Sequence, residues 1–518
     1  MQSFPWLTTI GLVPLVGSAI VFALPGGLRR LARQIALVVS LVTLGLVVAM
    51  AAQFDVSAAG TQQFTELHRW IPQFGVSYAL GINGIGLTMV ALSAVLVPIC
   101  VLATWNIAET GDAVADDKRR ATFFALILVL ETLMIGVFAA RDVFLFYVFF
   151  EAMLIPVYFL IGSFGGSNAR YAAVKFLLYS LAGGLLMLVA VIGLYLQGPG
   201  GADGFLVDKL TGLDYSSAGV ERWLFAGFFI AFAVKAPMWP VHTWLPDAAA
   251  QAPAGVSVLL VGVLDKVGTF GMITLCLPLF PEASKWAVPF VIVLSLISII
   301  YGALLAIGQS DIMRLIAFTS VSHFGFIVLG IFAMTSSGQA GSTLYMVNHG
   351  FSTAALFLIA GMLVVRRGSQ RIGDYGGMQR VTPLLAGTFL VAGMSSLALP
   401  GLSSFISEIL VIVGTFSRYQ AAAIIAAIAL VLSALYILLM YQRMMTGPVR
   451  EPVRALPDLN VREAWVVAPL IAVIVFLGFY PKPVLDVLNP AVSTTMTQVG
   501  VKDPAPLAPL AADEGTNQ

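Results

Sequence analysis

Glu131, Glu151, Lys235, Asp265, Lys266, His323, His349 and Glu408 each interrupt a long run of apolar residues. A charge at the centre of a membrane helix costs on the order of 3 kcal/mol on insertion scales. Summed crudely, the set approaches about 20 kcal/mol, more than the net stability of a typical soluble domain, about 5–15 kcal/mol. Groups retained against that cost, and able to gain or lose a proton, are suited to proton transfer. Lys235 is the sharpest case: it lies roughly 18 Å into its apolar run at ~1.5 Å per residue, too deep for easy snorkelling to the interface. For Glu151, in FYVFFEAMLIP, the competing reading is a neutral, hydrogen-bonded structural carboxyl. Glu131 is positioned to meet Glu151 or Lys235, or to serve packing alone. Asp265 and Lys266 are adjacent, so on a helix they point in different directions and are not automatically a pair. His323 and His349 also suit ordinary helix–helix hydrogen bonding. Glu408 follows Pro400–Gly401, and Lys235 precedes Pro237 and Pro240. Proline inside a span frees backbone groups that lipid cannot satisfy, so both segments are expected to be broken helices lining a cavity.

Burial disfavours the charged forms of both lysine and glutamate. An opposite charge at 4 Å restores the charged form by about 4 kcal/mol at an effective dielectric near 20. Moving a carboxylate towards or away from Lys235 would therefore load or eject a proton.

The elements that position these groups follow from composition. The chain has 518 residues, 59% hydrophobic and 10% charged, against about 25% charged in soluble domains. It cannot cover its surface with polar groups, so lipid must be its main solvent. Apolar stretches of about 20 residues recur from 4–25 to 464–480, and predict an all-α, polytopic membrane protein with about fourteen spans. The segments 223–246 and 384–417 are the two expected to be broken. No loop is long enough for a soluble domain, so residues 1–518 form one membrane domain with a flexible tail at about 501–518. Arg and Lys are more frequent in the loops on one side; the positive-inside rule then puts both termini outside. The first apolar run lacks a basic start and reads as a span, not a secretory signal.

The separations Glu151–His323 and Lys235–Glu408 agree to within one residue and correspond to a shift of five spans. An odd shift inverts topology, which suggests two inverted five-helix repeats at about 121–280 and 286–442. The prolines align poorly, since Pro237 follows its lysine and Pro400 precedes its glutamate.

Several functions are disfavoured. A net charge of +1 supplies no basic field for nucleic acid. Two solitary cysteines, Cys100 and Cys276, do not make a zinc or iron–sulfur ligand set. There is no dinucleotide-binding glycine fingerprint.

The motifs FAVKAPMWPVHTWLPDA (232–248), LIAFTSVSHFGF (315–326), YMVNHGFSTAALF (345–357) and LPGLSSFISE (399–408) resemble the antiporter-like subunits of respiratory complex I over essentially the whole chain. The resemblance implies fourteen helices, inverted repeats and breaks in helices seven and twelve. It also implies a proton-translocating subunit of NADH–quinone oxidoreductase in the bacterial cell membrane. No cofactor is then expected in this chain, and FMN, iron–sulfur clusters and quinone fall to partner subunits. Its expected partners are the other membrane subunits, especially neighbouring antiporter-like ones. Glu151 and Lys235 would form the helix-five/helix-seven pair, Lys266 the central relay, and His323 and His349 the route to Glu408. The helix-twelve residue is usually lysine in this family; glutamate there marks the subunit M branch, the counterpart of mitochondrial subunit 4. A lysine at that position would instead have favoured a cation/proton antiporter subunit, and membrane-bound hydrogenases share the architecture. Asn83 and Met313 depart from an expected aspartate and an expected basic residue, neither on the proposed path. A passive scaffold glued by buried charges is the remaining alternative.

Overall fold

The computed structural model describes residues 4–107 and 112–505. Among them, twelve helices are long and apolar enough to cross a membrane, from Trp6–Ala23 to Val461–Phe479. Two of the expected spans are absent from that set because neither is one continuous apolar helix. The first runs as Ala218–Lys235 and then Trp244–Gln251, separated by the stretch that carries Pro237 and Pro240. The second runs as Pro383–Ser396 and Ser403–Phe416, separated by Leu397–Leu402. In that second break Gly401 takes φ +91°, a conformation that a residue with a Cβ rarely adopts.

The freed backbone groups find partners inside the protein, as a lipid environment demands. At the first break the Trp244 indole N–H donates to the Val234 carbonyl at 2.9 Å, and Trp239 N–H donates to Ser298 Oγ at 2.9 Å. At the second, Leu399 N–H donates to the Met394 carbonyl at 3.0 Å, and Asn348 Nδ2 adds a bond to the Ser403 carbonyl of the following half-helix at 2.6 Å. A third interruption splits Val143–Ala152 from Leu154–Phe164, where Pro156 has no N–H to return to Ala152.

The helices form an inner and an outer set. Ala254–Leu279 and Ile312–Phe332 are wholly enclosed in their most apolar windows, and Ser336–Arg367 nearly so. Trp6–Ala23, Gly26–Ala51, Ala169–Gln197 and Gln420–Met445 each turn a broad apolar face outwards, with Val189, Val48 and Val431 strongly exposed. An apolar exterior around an enclosed, polar-bearing centre is what a lipid solvent selects. Lys266, His323 and His349 all stand on the three inner helices.

Ala254–Leu279 is not uniform: it widens into π-helical turns at Leu260–Leu264 and Met272–Cys276. Such turns commonly mark functional positions in helices. The first immediately precedes Asp265 and Lys266.

Two elements were not anticipated. Gln63–Ile71 and Val76–Ile82 pair as an antiparallel hairpin, with His68 opposite Tyr78 and Arg69 opposite Ser77, where a loop and the start of a span were expected. Its Glu66 carboxylate accepts from the Leu7 and Thr8 amides at 2.8 and 3.2 Å, tying the hairpin to the first turn of the first helix. Asp142, beyond the end of the fourth span, accepts from Ser77 N–H at 2.9 Å; burial nevertheless pushes its carboxyl above the usual range. The second element is Lys482–Val499, an amphipathic helix after the last span. Beyond it, the Lys502 carbonyl accepts from Arg418, and Asp503 accepts from Ser336 N–H at 2.7 Å. The rest of the expected flexible tail, from residue 506, lies outside the described residues.

On the face away from the hairpin, Asp247 accepts from Lys175 at 2.7 Å and from Arg314. One carboxylate thus ties the short half of the broken helix to two neighbouring spans.

Candidate functional site: a buried polar line across the inner helices

Glu131, Lys235, Asp265, Lys266, His323, His349 and Glu408 are all buried, each with no more than 3% of its surface exposed, whereas Glu151 is half-buried. They divide into a connected group and a separated one.

The connected group begins at Lys266. Its Nζ donates to the Val261 carbonyl at 2.6 Å, one π turn earlier, and lies 2.6 Å from His349 Nδ1. The Phe324 ring stands 4.9 Å from the same nitrogen, within range for cation–π attraction. The His349 and His323 rings are 5.3 Å apart between centroids. His323 Nδ1 then meets the Tyr345 hydroxyl at 2.6 Å, and that hydroxyl donates to Glu408 Oε1 at 2.5 Å. His323 Nε2 is 3.3 Å from Ser396 Oγ, at the edge of the second helix break. His323 Nδ1 and Glu408 Oε1 are 3.8 Å apart, too far for a hydrogen bond, so Tyr345 is the bridge between them. The line runs through Ala254–Leu279, Ser336–Arg367, Ile312–Phe332 and Ser403–Phe416.

The separated group is Glu131, Glu151, Lys235 and Asp265. Lys235 is the last residue of its half-helix, and its Nζ makes no hydrogen bond to the protein. It sits 4.8 Å from the Phe150 ring and 5.7 Å from the Phe176 ring. Glu151 and Asp265 are both close enough to act on it electrostatically. The expected Glu151–Lys235 pair is therefore a through-space one, without direct contact. Glu131 makes no polar contact with Glu151 or Lys235, and both its carboxyl oxygens are buried without a hydrogen-bond partner, as are those of Asp265. Glu151 packs against Gly184, where an added Cβ would collide with its Oε1. Glycine at 184 leaves that carboxylate its room.

Sequence reading passed over Tyr345. It stands four residues before His349 on the same helix, hence on the same face, and that spacing was the available signal. It also passed over His242, which is buried in the first break against the Tyr301 ring with Nδ1 unpartnered. Asn83, noted only as a departure from an expected aspartate, caps Gly84–Ala103 by accepting from Gly86 N–H at 3.0 Å, as aspartate also would. Met313 is buried in its helix.

An arrangement of this kind can pass protons. Amine, imidazole, phenol and carboxyl can each take up and release a proton. They lie at hydrogen-bond distance from Lys266 to His349 and from His323 through Tyr345 to Glu408, while His349 and His323 meet ring to ring with no hydrogen bond between them. Among the described residues no group of His, Cys, Asp and Glu has metal-ligand geometry.

Residues 140–434, more than half of the chain, match the family described as NADH:quinone oxidoreductase/Mrp antiporter, TM. The chain belongs to this family. NADH-quinone oxidoreductase subunit M of Mycobacterium tuberculosis is 52% identical, with 98% of this chain and 96% of that one covered. A chain in the respiratory complex I of Thermus thermophilus with bound NADH superposes with a TM-score of 0.85 at 29% identity, covering 96% of this chain and all of that one. A chain of the Mrp complex from Dietzia sp. has the same fold, with a TM-score of 0.84 at 22% identity over 96% of this chain and all of that one. Within the NADH:quinone oxidoreductase/Mrp antiporter family, similarity to a subunit M agrees with the branch expected from glutamate at 408.

Proposed function

We propose that this chain is a proton-translocating membrane subunit of an NADH–quinone oxidoreductase, of the subunit M type. The observation that carries the reading is the buried line Lys266–His349–His323–Tyr345–Glu408, with bonds of 2.5–2.6 Å at three of its steps and adjacent imidazole rings at the His349–His323 step. Glu151 and Lys235 form the input pair, with the separation between them acting as the toggle. Lys266 joins the two halves, and Glu408 is the terminal proton carrier. Glu131 is a further proton-binding carboxyl of the first half. The halves are two inverted repeats, at about 121–280 and 286–442; a broken helix next to the key ionisable residue of each supports this. FMN, iron–sulfur clusters and quinone reside in partner subunits, and electron transfer there drives the motion of charge here. The chain spans the bacterial cell membrane beside other antiporter-like subunits, with both termini external, as the Arg-rich loops of one side favour.

The test is to purify the tagged chain in mild detergent and assay for NADH–quinone activity sensitive to piericidin. Co-purification of that activity is the expected result. A lone chain, or an assembly without it, would overturn the assignment.

A further inference from the structure

A polar cavity of about 290 Å³ opens on the face that carries the hairpin and the helix Lys482–Val499. Its walls include Gln62, Asn83, Thr494 and Thr495, with Arg141 and Asp208 paired at the mouth, so the entrance has no large net charge. It continues into a second, narrower space of about 10 Å³, and Gln62, Asn83, Arg141 and Thr274 line both. That second volume is about what a single water needs, and the outer one holds several, given this many polar partners.

The inner end is apolar. Phe138 and Phe270 meet edge to face there, with centroids 5.1 Å apart and planes at 84°. Phe270 lies one turn from Lys266, about 6 Å along the same helix, and Phe138 two turns from Glu131, about 10 Å. Thr274 marks the boundary. From Gly255 to Phe280 it is the one residue that is not buried. It stands in the second π turn, and its hydroxyl donates to the Phe270 carbonyl at 2.8 Å. A helix otherwise sealed within the protein thus offers one polar side chain to the cavity, directly linked to the aromatic plug.

We propose that this cavity is a water-filled access vestibule through which the relay exchanges protons with the hairpin face, gated by the Phe138–Phe270 pair. When the rings part, a proton on Lys266 Nζ passes to a vestibule water. The amine is left neutral, and the hydronium exchanges with bulk. With the rings closed, the apolar contact breaks the water chain and the proton on Lys266 goes on through His349 towards Glu408, so the vestibule is a gated side branch of the relay. The proposal rests on the proton-transfer reading above, but its first test does not depend on it.

The test uses the assembled complex in native membranes, with both native cysteines replaced by alanine. Thr274→Cys is treated with a charged, membrane-impermeant methanethiosulfonate in vesicles of either orientation. Gln73→Cys at the hairpin tip serves as the exposed reference and Ser93→Cys as the buried one. The expected result is modification of Thr274→Cys from the same side as Gln73→Cys, with Ser93→Cys silent from both. Protection of Thr274→Cys, or its reaction from the other side, overturns the vestibule. For the gate, Phe270→Ala should raise passive proton leak severalfold without NADH, and Phe138→Leu repeats the test from the opposite ring should Phe270→Ala accumulate poorly. An unchanged leak in both overturns the gate. Labelling needs neither NADH nor proton flux, so an inactive assembly with a reactive Thr274→Cys would refute the oxidoreductase reading alone. A fully active complex with a protected Thr274→Cys would refute only the vestibule.

Discussion

Replacing Lys235 by alanine is expected to reduce NADH-driven proton flux by on the order of 10²-fold or more, the scale of a lost proton-transfer group, while the complex still assembles. The second half of that expectation comes from the surroundings of Lys235. Its Nζ has aromatic neighbours and no hydrogen-bond partner, so truncation leaves no buried acceptor or counter-ion orphaned by contact. Removal of an unpaired desolvated charge is tolerated far better than removal of one member of a bonded pair. What alanine does leave is a cavity, and a buried large-to-small change of this kind costs ~2–5 kcal/mol of stability. Lys235→Met, with nearly the same shape and no charge, separates the two effects: it should assemble as well as the parent and pump no better than Lys235→Ala. Chain abundance on native gels and acidification of inverted vesicles give the two readouts. Near-normal pumping in Lys235→Met would return the buried charges to the role of structural glue.

The second large effect is expected at Tyr345. Tyr345→Phe deletes one oxygen, which among the described residues is the hydrogen-bonded link between His323 and Glu408. The remaining 3.8 Å gap between those residues does not support a hydrogen bond. Glu408 Oε2 already lacks a partner, so the variant leaves the whole carboxyl unsatisfied. Orphaning a buried polar group costs about 1–3 kcal/mol. Tyr345→Phe should therefore lower both stability, modestly, and proton flux, by at least ~10-fold. Tyr345→Phe at full flux would mean that Glu408 is reached by another route. Thermal inactivation of the detergent-solubilised complex and proton uptake in vesicles measure the two effects separately.

How far the sequence carried this reading varied with the kind of feature. Buried ionisable residues are conspicuous in apolar runs, and prolines beside Lys235 and Glu408 pointed to the broken helices that hold them. Tyr345 was invisible for the opposite reason: a tyrosine in a membrane helix reads as packing, and only its turn-spaced relation to His349 hinted otherwise. The separation of Glu151 from Lys235 could not be read, because span positions fix neither rotamers nor the room that Gly184 provides. The π turns around Lys266 have no local signature in LVGVLDKVGTFGMITLC. The hairpin was read as loop because only a few alternating residues separate it from polar linker, and Lys482–Val499 was missed because its apolar stripe is narrow. The breaks expected in 223–246 and 384–417 are both present, because lipid demands backbone satisfaction rather than helix continuity, and at the first break Trp244 meets part of that demand.

In the proposed mechanism one route, joined at Lys266, connects the Glu151–Lys235 half to Glu408. NADH-driven proton flux in Glu151→Gln, Tyr345→Phe and the combined variant tests it most directly. Steps in series are limited by the slowest, so each single variant should fall strongly and the combination should match the slower one. Two independent routes would leave about half the flux in each single variant and abolish it in the combination, and that result would contradict the account.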